Sequence, residues 1–136
     1  MFFRFKKRLG LGQWGERTAR DEYKKRGYSV LSSNFFNRSG KRIGEIDIVV
    51  RDKTKIIFIE VKTRTKTQQR FGTPSEAVDI FKQRKLLKVV KIFLAKHPQF
   101  SYLRPQIDVC IVEVDNLDRT RYSVTIIPNA VEDGQY

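Results

Sequence analysis

Three charged residues interrupt two oily stretches of the chain: Asp47 in GEIDIVVR (44–51), and Glu60 and Lys62 in KIIFIEVKT (55–63). Side chains of a strand alternate between its two faces. In the second stretch Ile57, Ile59 and Val61 share one face, and Ile56, Phe58, Glu60 and Lys62 share the other. Both faces begin apolar, which predicts a central strand covered on both sides, with an acid and a lysine emerging together at its C-terminal end. In the first stretch Ile46, Ile48 and Val50 share a face, and Glu45, Asp47 and Val49 the other. A two-residue turn at Lys53-Thr54 folds the two into a hairpin. Asp52 then pairs with Lys55, Asp47 lies opposite Glu60, and Glu45 lies opposite Lys62. Carboxylates placed so, about 5 Å apart, repel each other unless a cation lies between them. Two hard oxygen ligands on rigid strands suit Mg²⁺. A neighbouring lysine can neutralise negative charge that develops in a transition state. Together these are the parts of metal-assisted phosphodiester hydrolysis. The plainer reading is a surface pair, Glu45 with Lys62, beside a solvated Asp47 at a sheet edge.

The rest of the chain must position those residues. Its 136 residues suggest one domain, 1–136, with a basic N-terminal segment over 1–11. No apolar run approaches the roughly 20 residues that span a bilayer. MFFRFKKRLG lacks the pattern of a secretory signal. A single cysteine, Cys110, allows no internal disulfide, and the expected location is cytoplasmic. Lys and Arg number 28 against 15 acids, a net charge of +13 and a pI near 10.1. The excess is uneven: 26 basic and 9 acidic residues up to Arg104, then 2 basic and 6 acidic. Such a body favours a polyanionic partner through counterion release, hence nucleic acid. The single histidine, His97, argues against a zinc site and reads as a surface residue. No phosphate-cradling glycine loop argues for an NTPase.

Periodicity and turn signals predict a helix over Gln13–Arg26 that stops at Gly27, with Gly12, Glu16, Ala19 and Tyr23 on one side. Strands follow at 28–36, 44–51 and 55–63. Thr73-Pro74-Ser75-Glu76 is a capped start for a second helix that runs to about Lys96. Strands at 106–114 and 122–127 close the chain. The order αβββαββ, with a helical crossover between the third and fourth strands, implies an α/β fold: a mixed five-stranded sheet flanked by helices. Lys62 to Arg70 reads as a mobile, DNA-facing loop carrying Arg64, Lys66 and Arg70. Lys82, Arg84 and Lys85 charge the exposed side of the second helix. Trp14, Phe35, Phe36 and Cys110 read as core.

An acid in one strand and Glu-x-Lys in the next resemble the hallmark of the PD-(D/E)xK nuclease superfamily. Asp47 and Glu60-Val61-Lys62 stand in those places, with Ile46 where the name has proline. The whole chain resembles the YraN family of small bacterial proteins. The matching pieces are Gly15-Glu16, Gly27-Tyr28, Asn34, Gly44 to Asp47, Phe58 to Arg64, Phe71-Gly72, Glu76 to Val78, Lys82 and Asn129-Ala130. The resemblance extends to archaeal Holliday-junction resolvases and RecB-type nuclease domains. It implies a restriction-endonuclease-like fold, dependence on Mg²⁺ with Mn²⁺ as a substitute, and a DNA endonuclease acting on branched or damaged DNA. Asp47 and Glu60 would hold the metal, and Lys62 would serve the chemistry. Glu16 matches the helix acid that serves the metal in resolvases, and Gln83 the active-site glutamine of RecB-type domains. Arg64, Lys66, Arg70, Lys82, Arg84 and Lys85 would contact the nucleic acid. Resolvase-like relatives also imply a homodimer. The chain departs from the family at Gln106, where Arg-Phe-Asp is usual and Gln106-Ile107-Asp108 stands here. Two other classes remain open: a non-catalytic nucleic-acid-binding module that retained the fold, and a basic protein that supports a partner complex.

Overall fold

A computed structural model of the protein describes residues 8–36, 44–66, 80–115 and 118–131. The expected order holds. Helix α1 (Leu11–Lys25) leads to strands β1 (Ser29–Phe36), β2 (Glu45–Arg51) and β3 (Lys55–Thr65). Helix α2 (Ile80–Lys96), a 3₁₀ turn (Pro98–Phe100) and strands β4 (Arg104–Asp115) and β5 (Asp118–Ile127) follow. The five strands form one sheet in chain order, antiparallel except that β3 and β4 run parallel across the α2 connection. The anticipated helix start at Thr73 to Glu76 lies outside the described residues. No helix among the described residues is long and apolar enough to cross a membrane.

Local chemistry sets the ends of these elements. At the end of α1, Tyr28 N–H donates to Tyr23 O and Gly27 N–H donates to Lys24 O, at 3.1 and 3.0 Å. Gly27 has φ +94°, the left-handed conformation this helix ending needs. At the hairpin tip Asp52 Oδ1 accepts the N–H groups of Thr54 and Lys55, both at 2.8 Å. Asp52 N–H donates to Lys55 O at 3.0 Å. That turn fixes the expected register, and β2 pairs with β3 from Arg51↔Ile56 to Ile48↔Ile59.

The sheet is covered on both faces. On one side Ile56, Phe58, Ile107, Val109 and Ile111 pack with Leu86, Val89, Val90 and Phe93 of α2. On the other, Ile48, Val50, Ile57, Ile59, Cys110 and Val112 pack with Ala19 and Tyr23 of α1. Trp14 and Phe35 pack against these clusters as expected. His97 is not a plain surface residue: half-buried, it stacks on Phe93 with ring centres 4.1 Å apart, and its Nδ1 lies 2.8 Å from Phe93 O.

Two contacts seat α1 on the sheet. Near its C-terminus Tyr23 hydroxyl donates to Asp108 Oδ2 at 2.8 Å, beneath the surface. Asp108 Oδ1 also accepts from Gln106 Nε2 at 2.8 Å and from Asn129 N–H at 3.2 Å. Gln106 thus gives the buried carboxylate a neutral hydrogen bond. Near the N-terminus of α1, Gly15 lies against the Thr63 side chain so closely that a Cβ there would stand 2.8 Å from Thr63 Cβ. The buried residues of α1 are therefore Gly15, Ala19 and Tyr23, with Gly12 exposed and Glu16 at the border. The anticipated face, which began at Gly12, is rotated toward Gly15, because only a residue without Cβ lets the helix descend onto β3. Gly15→Ala is expected to destabilise the fold by about 1–3 kcal/mol in chemical denaturation, the usual cost of overpacking. Gly12→Ala, where a Cβ meets nothing within 4 Å, should be neutral or stabilising. Equal effects of the two substitutions would show that α1 is not seated through Gly15.

Candidate active site

The β2–β3 ladder stops at Ile48↔Ile59, and the next step of that register holds Asp47 and Glu60. Here the strands part. Asp47 Oδ2 accepts the Val61 N–H at 2.8 Å, so a side-chain carboxylate serves the backbone donor of β3. The strict alternation of β2 breaks at the same place. Ile46 joins the α2-side cluster with Val49, not the opposite cluster with Ile48 and Val50. Asp47 and Glu60 are only 7% and 8% exposed, so the solvated-edge reading of Asp47 does not hold. Lys62 Nζ stands 3.6 Å from Glu60 Oε1. The lysine therefore pairs along its own strand face, two residues away. The anticipated Glu45–Lys62 cross-strand step lies past the end of the β2–β3 ladder.

A cavity of about 230 Å³ opens at the parted end, lined by Gly44, Glu45, Asp47, Glu60, Lys85 and Leu86. Gly44 lets β2 approach α2: a Cβ there would lie 3.4 Å from Val89 Cγ2 and 3.8 Å from Lys85 Cβ. From the other face, α1 brings Glu16 to the group. Burial first, then the charge of Glu60, pushes the Asp47 carboxyl up to about 7, with Glu16 and Glu45 adding to the rise and the Val61 N–H opposing it. Glu16 is raised as well, by burial, then by Glu45, with Arg20 opposing and Glu60 contributing. Each of these acids is held in the field of the others. Buried, mutually repelling carboxylates on fixed strands are a site prepared for positive charge.

The donor set fits a hard divalent cation bound through two carboxylates. Mg²⁺ is commonly held by one or two carboxylates, with water and substrate phosphate completing its shell. Among the described residues no three His, Cys, Asp or Glu side chains gather at metal-ligand spacing. Glu16 lies within electrostatic range of Asp47, Glu45 and Glu60. The fit rests on Asp47 and Glu60.

The structure brings Asp47, Glu60 and Lys62 together, with Glu16 at electrostatic range. Lys85, assigned from sequence to an outer nucleic-acid surface, lies in the cavity wall. Gln83 is half-buried on α2 and is not among the residues lining the cavity. Arg64 is not in a loop. The parallel ladder to β4 carries β3 on to Thr65↔Val114, and Arg64 Nη2 donates to Glu113 Oε1 at 2.9 Å. Lys66 is exposed just past β3, and Arg84 is exposed on α2. Arg70 and the side chain of Lys82 lie outside the described residues. Sequence reasoning missed Glu45 as a cavity residue and Gly44 as the point of close approach. Their signal was present in Gly44-Glu45 at the start of the strand, a glycine where backbone meets a neighbouring helix.

A family model described as uncharacterised protein family UPF0102 matches residues 15–114, a span that contains Glu16, Asp47, Glu60 and Lys62. A UPF0102 protein of Caldanaerobacter subterraneus subsp. tengcongensis is 38% identical over 120 residues, covering 88% of this chain and 93% of that protein. A UPF0102 protein of Clostridium botulinum (strain 657 / Type Ba4) is 37% identical over 122 residues, covering 90% and 94%. One from the Loch Maree strain is 38% identical over the same length.

The raised Asp47 carboxyl has a consequence for stability. Unfolded, it loses its proton near pH 4; folded, it keeps it to about pH 7. Across that window the native state binds the extra proton, so stability falls as pH rises and then levels off above 7. Asp47→Asn keeps an acceptor for Val61 and removes the charge. Without divalent cation it is expected to be more stable than the parent at pH 8, by up to about 4 kcal/mol, with the difference vanishing near pH 4. Thermal unfolding across pH measures this. A constant difference at all pH values would contradict the assignment.

Proposed function

The chain belongs to the uncharacterised protein family UPF0102, and we propose that within it this protein is a metal-dependent DNA endonuclease. The observation that carries the reading is the parted end of β2 and β3. Two buried carboxylates, Asp47 and Glu60, meet there under mutual repulsion, with Lys62 3.6 Å from Glu60 and Lys85 in the same cavity wall. A pure binding surface gains nothing from carboxylates beside a phosphodiester, since they repel it. The net charge of +13 supplies the attraction that draws a polyanion toward such a site.

Asp47 and Glu60 would hold Mg²⁺. When bound, the cation supplies Lewis acidity that polarises the phosphate and lowers the cost of an attacking water. The protein's own groups do the rest. The Val61 N–H fixes the Asp47 carboxylate in place. Lys62 is poised to leave Glu60 for a phosphate oxygen as charge grows there, and Lys85 offers a second cation across the cavity. Hydrolysis of the P–O3′ bond leaves a 5′-phosphate and a 3′-hydroxyl, the ends expected from the nuclease resemblance. Branched or damaged DNA is the proposed substrate class.

Purified protein with Mg²⁺ or Mn²⁺ is expected to cut at least one of linear, flapped and four-way DNA. Asp47→Ala and Glu60→Ala should each lower cutting by about 10²-fold or more with DNA binding intact, and Lys62→Ala by a similar factor. Binding without cutting, indifferent to metal and to all three substitutions, would overturn the endonuclease reading and favour a non-catalytic nucleic-acid-binding module.

A further inference from the structure

The side of β3 that carries Glu60 and Lys62 continues to Arg64. Alternate residues of a strand are separated by about 6.6 Å, so Arg64 stands roughly 13 Å beyond Glu60 on the same face. A nucleic-acid strand carries a charge about every 3.4 Å of its axis, so Arg64 is placed for a flanking phosphate up to about four positions along from the one at the carboxylates. At present its guanidinium faces an acid. Glu113 is its register partner on β4, with Nη2 to Oε1 2.9 Å and the two side chains 20% and 19% exposed. This contact leaves the arginine incompletely satisfied: Arg64 Nε is buried and has no hydrogen-bond acceptor among the described residues. A guanidinium presents a fork of donors that matches the several oxygens of a phosphate. Glu113 also brings negative charge to the path a phosphate would take.

We propose that Arg64 is a flanking-phosphate ligand of the same site and that Glu113 is an acidic latch which holds it until a nucleic-acid phosphate takes the arginine over. The inference rests on the nucleic-acid part of the proposed function and adds to it a regulated contact. Lys62 and Arg64 then form a short basic track leading away from the carboxylates, with Glu113 tuning its outer end. The latch raises the affinity threshold. Only a chain long enough to occupy both the carboxylate site and the flanking position gains the Arg64 contact.

The test is equilibrium binding of fluorescein-labelled linear, flapped and four-way DNA in EDTA, so that no cutting intervenes, over a series of KCl concentrations. Glu113→Gln is expected to tighten binding about fivefold and to steepen the slope of log K against log [KCl] by about one. Arg64→Gln should weaken binding about fivefold with little change of slope, because in the parent the counterion set free at the Arg64 phosphate is offset by the cation that the released Glu113 takes up. In the Arg64→Gln background, Glu113→Gln should tighten binding by about twofold at most, the share due to its charge alone. That result separates a latch on this arginine from the mere removal of a nearby negative charge. Glu113→Asp, which draws the carboxylate back by one methylene, should give a smaller gain in the same direction and guards against poor folding of Glu113→Gln. Equal gains from Glu113→Gln with and without Arg64, or no loss in Arg64→Gln, would overturn the latch while leaving the endonuclease reading standing. Failure of the parent protein to bind any of these DNAs, both in EDTA and with Ca²⁺ in place of Mg²⁺, would bring down both.

Discussion

A carboxylate stands where a strand carbonyl would. At Asp47 the β2–β3 ladder ends, and the side chain takes the Val61 N–H that a continued ladder would have satisfied from the backbone. Buried donors must be paired, so the strands can part here only because Asp47 supplies the acceptor. The same exchange places a second carboxylate, Glu60, beside the first, and it opens the cavity between them and α2. The energetic tension is local. Asp47 is kept from water and faces the charge of Glu60, and both effects favour its protonated form until something positive arrives. The other described parts of the site can be understood as means of holding this arrangement or complementing its charge.

The two helices approach the sheet by the same device on opposite faces. Gly15 lets α1 descend onto Thr63 and brings Glu16 into the field of Asp47. Gly44 lets β2 come close to Val89 and Lys85 of α2, and Lys85 becomes part of the cavity wall. On the α1 side of the sheet, the Tyr23–Asp108 hydrogen bond ties the other end of α1 to β4, where Asp108 pairs with Ile59 beside Glu60. Gln106 and the Asn129 N–H complete the donors to that buried acid. The site is thus fixed by elements packed in apolar clusters on both faces, which is how reacting groups are held without loops having to order them.

Much of this was legible in the sequence, and the reasons differ by residue. The hairpin register followed from taking Lys53-Thr54 as a two-residue turn, where a longer turn would have shifted it; Asp52 holds the short one, and Asp47 and Glu60 follow as neighbours. The YraN resemblance agrees with the family found for the chain. The seating face of α1 was misjudged, since apolar periodicity does not reveal that Gly15 is the residue pressed against a strand. Lys62 was paired across the hairpin instead of along its own strand, because the parting of the strands depends on a side-chain hydrogen bond no pattern encodes. Arg64 was taken for a loop residue because its surroundings are polar. Pairing with β4 extends the strand there, a tertiary effect that overrides local composition. His97 was read as surface, whereas contacts with Phe93 and Phe100 half-bury it.

The measurement closest to the central claim is an NMR titration of the Asp47 side-chain carboxyl carbon in the cation-free protein, with Glu60→Gln alongside. The expected midpoint in the parent protein is about 7, moving down when the Glu60 charge is removed. A midpoint in the ordinary carboxylate range near 4, unmoved by Glu60→Gln, would mean that the two acids do not share a buried site and would contradict the account at its root.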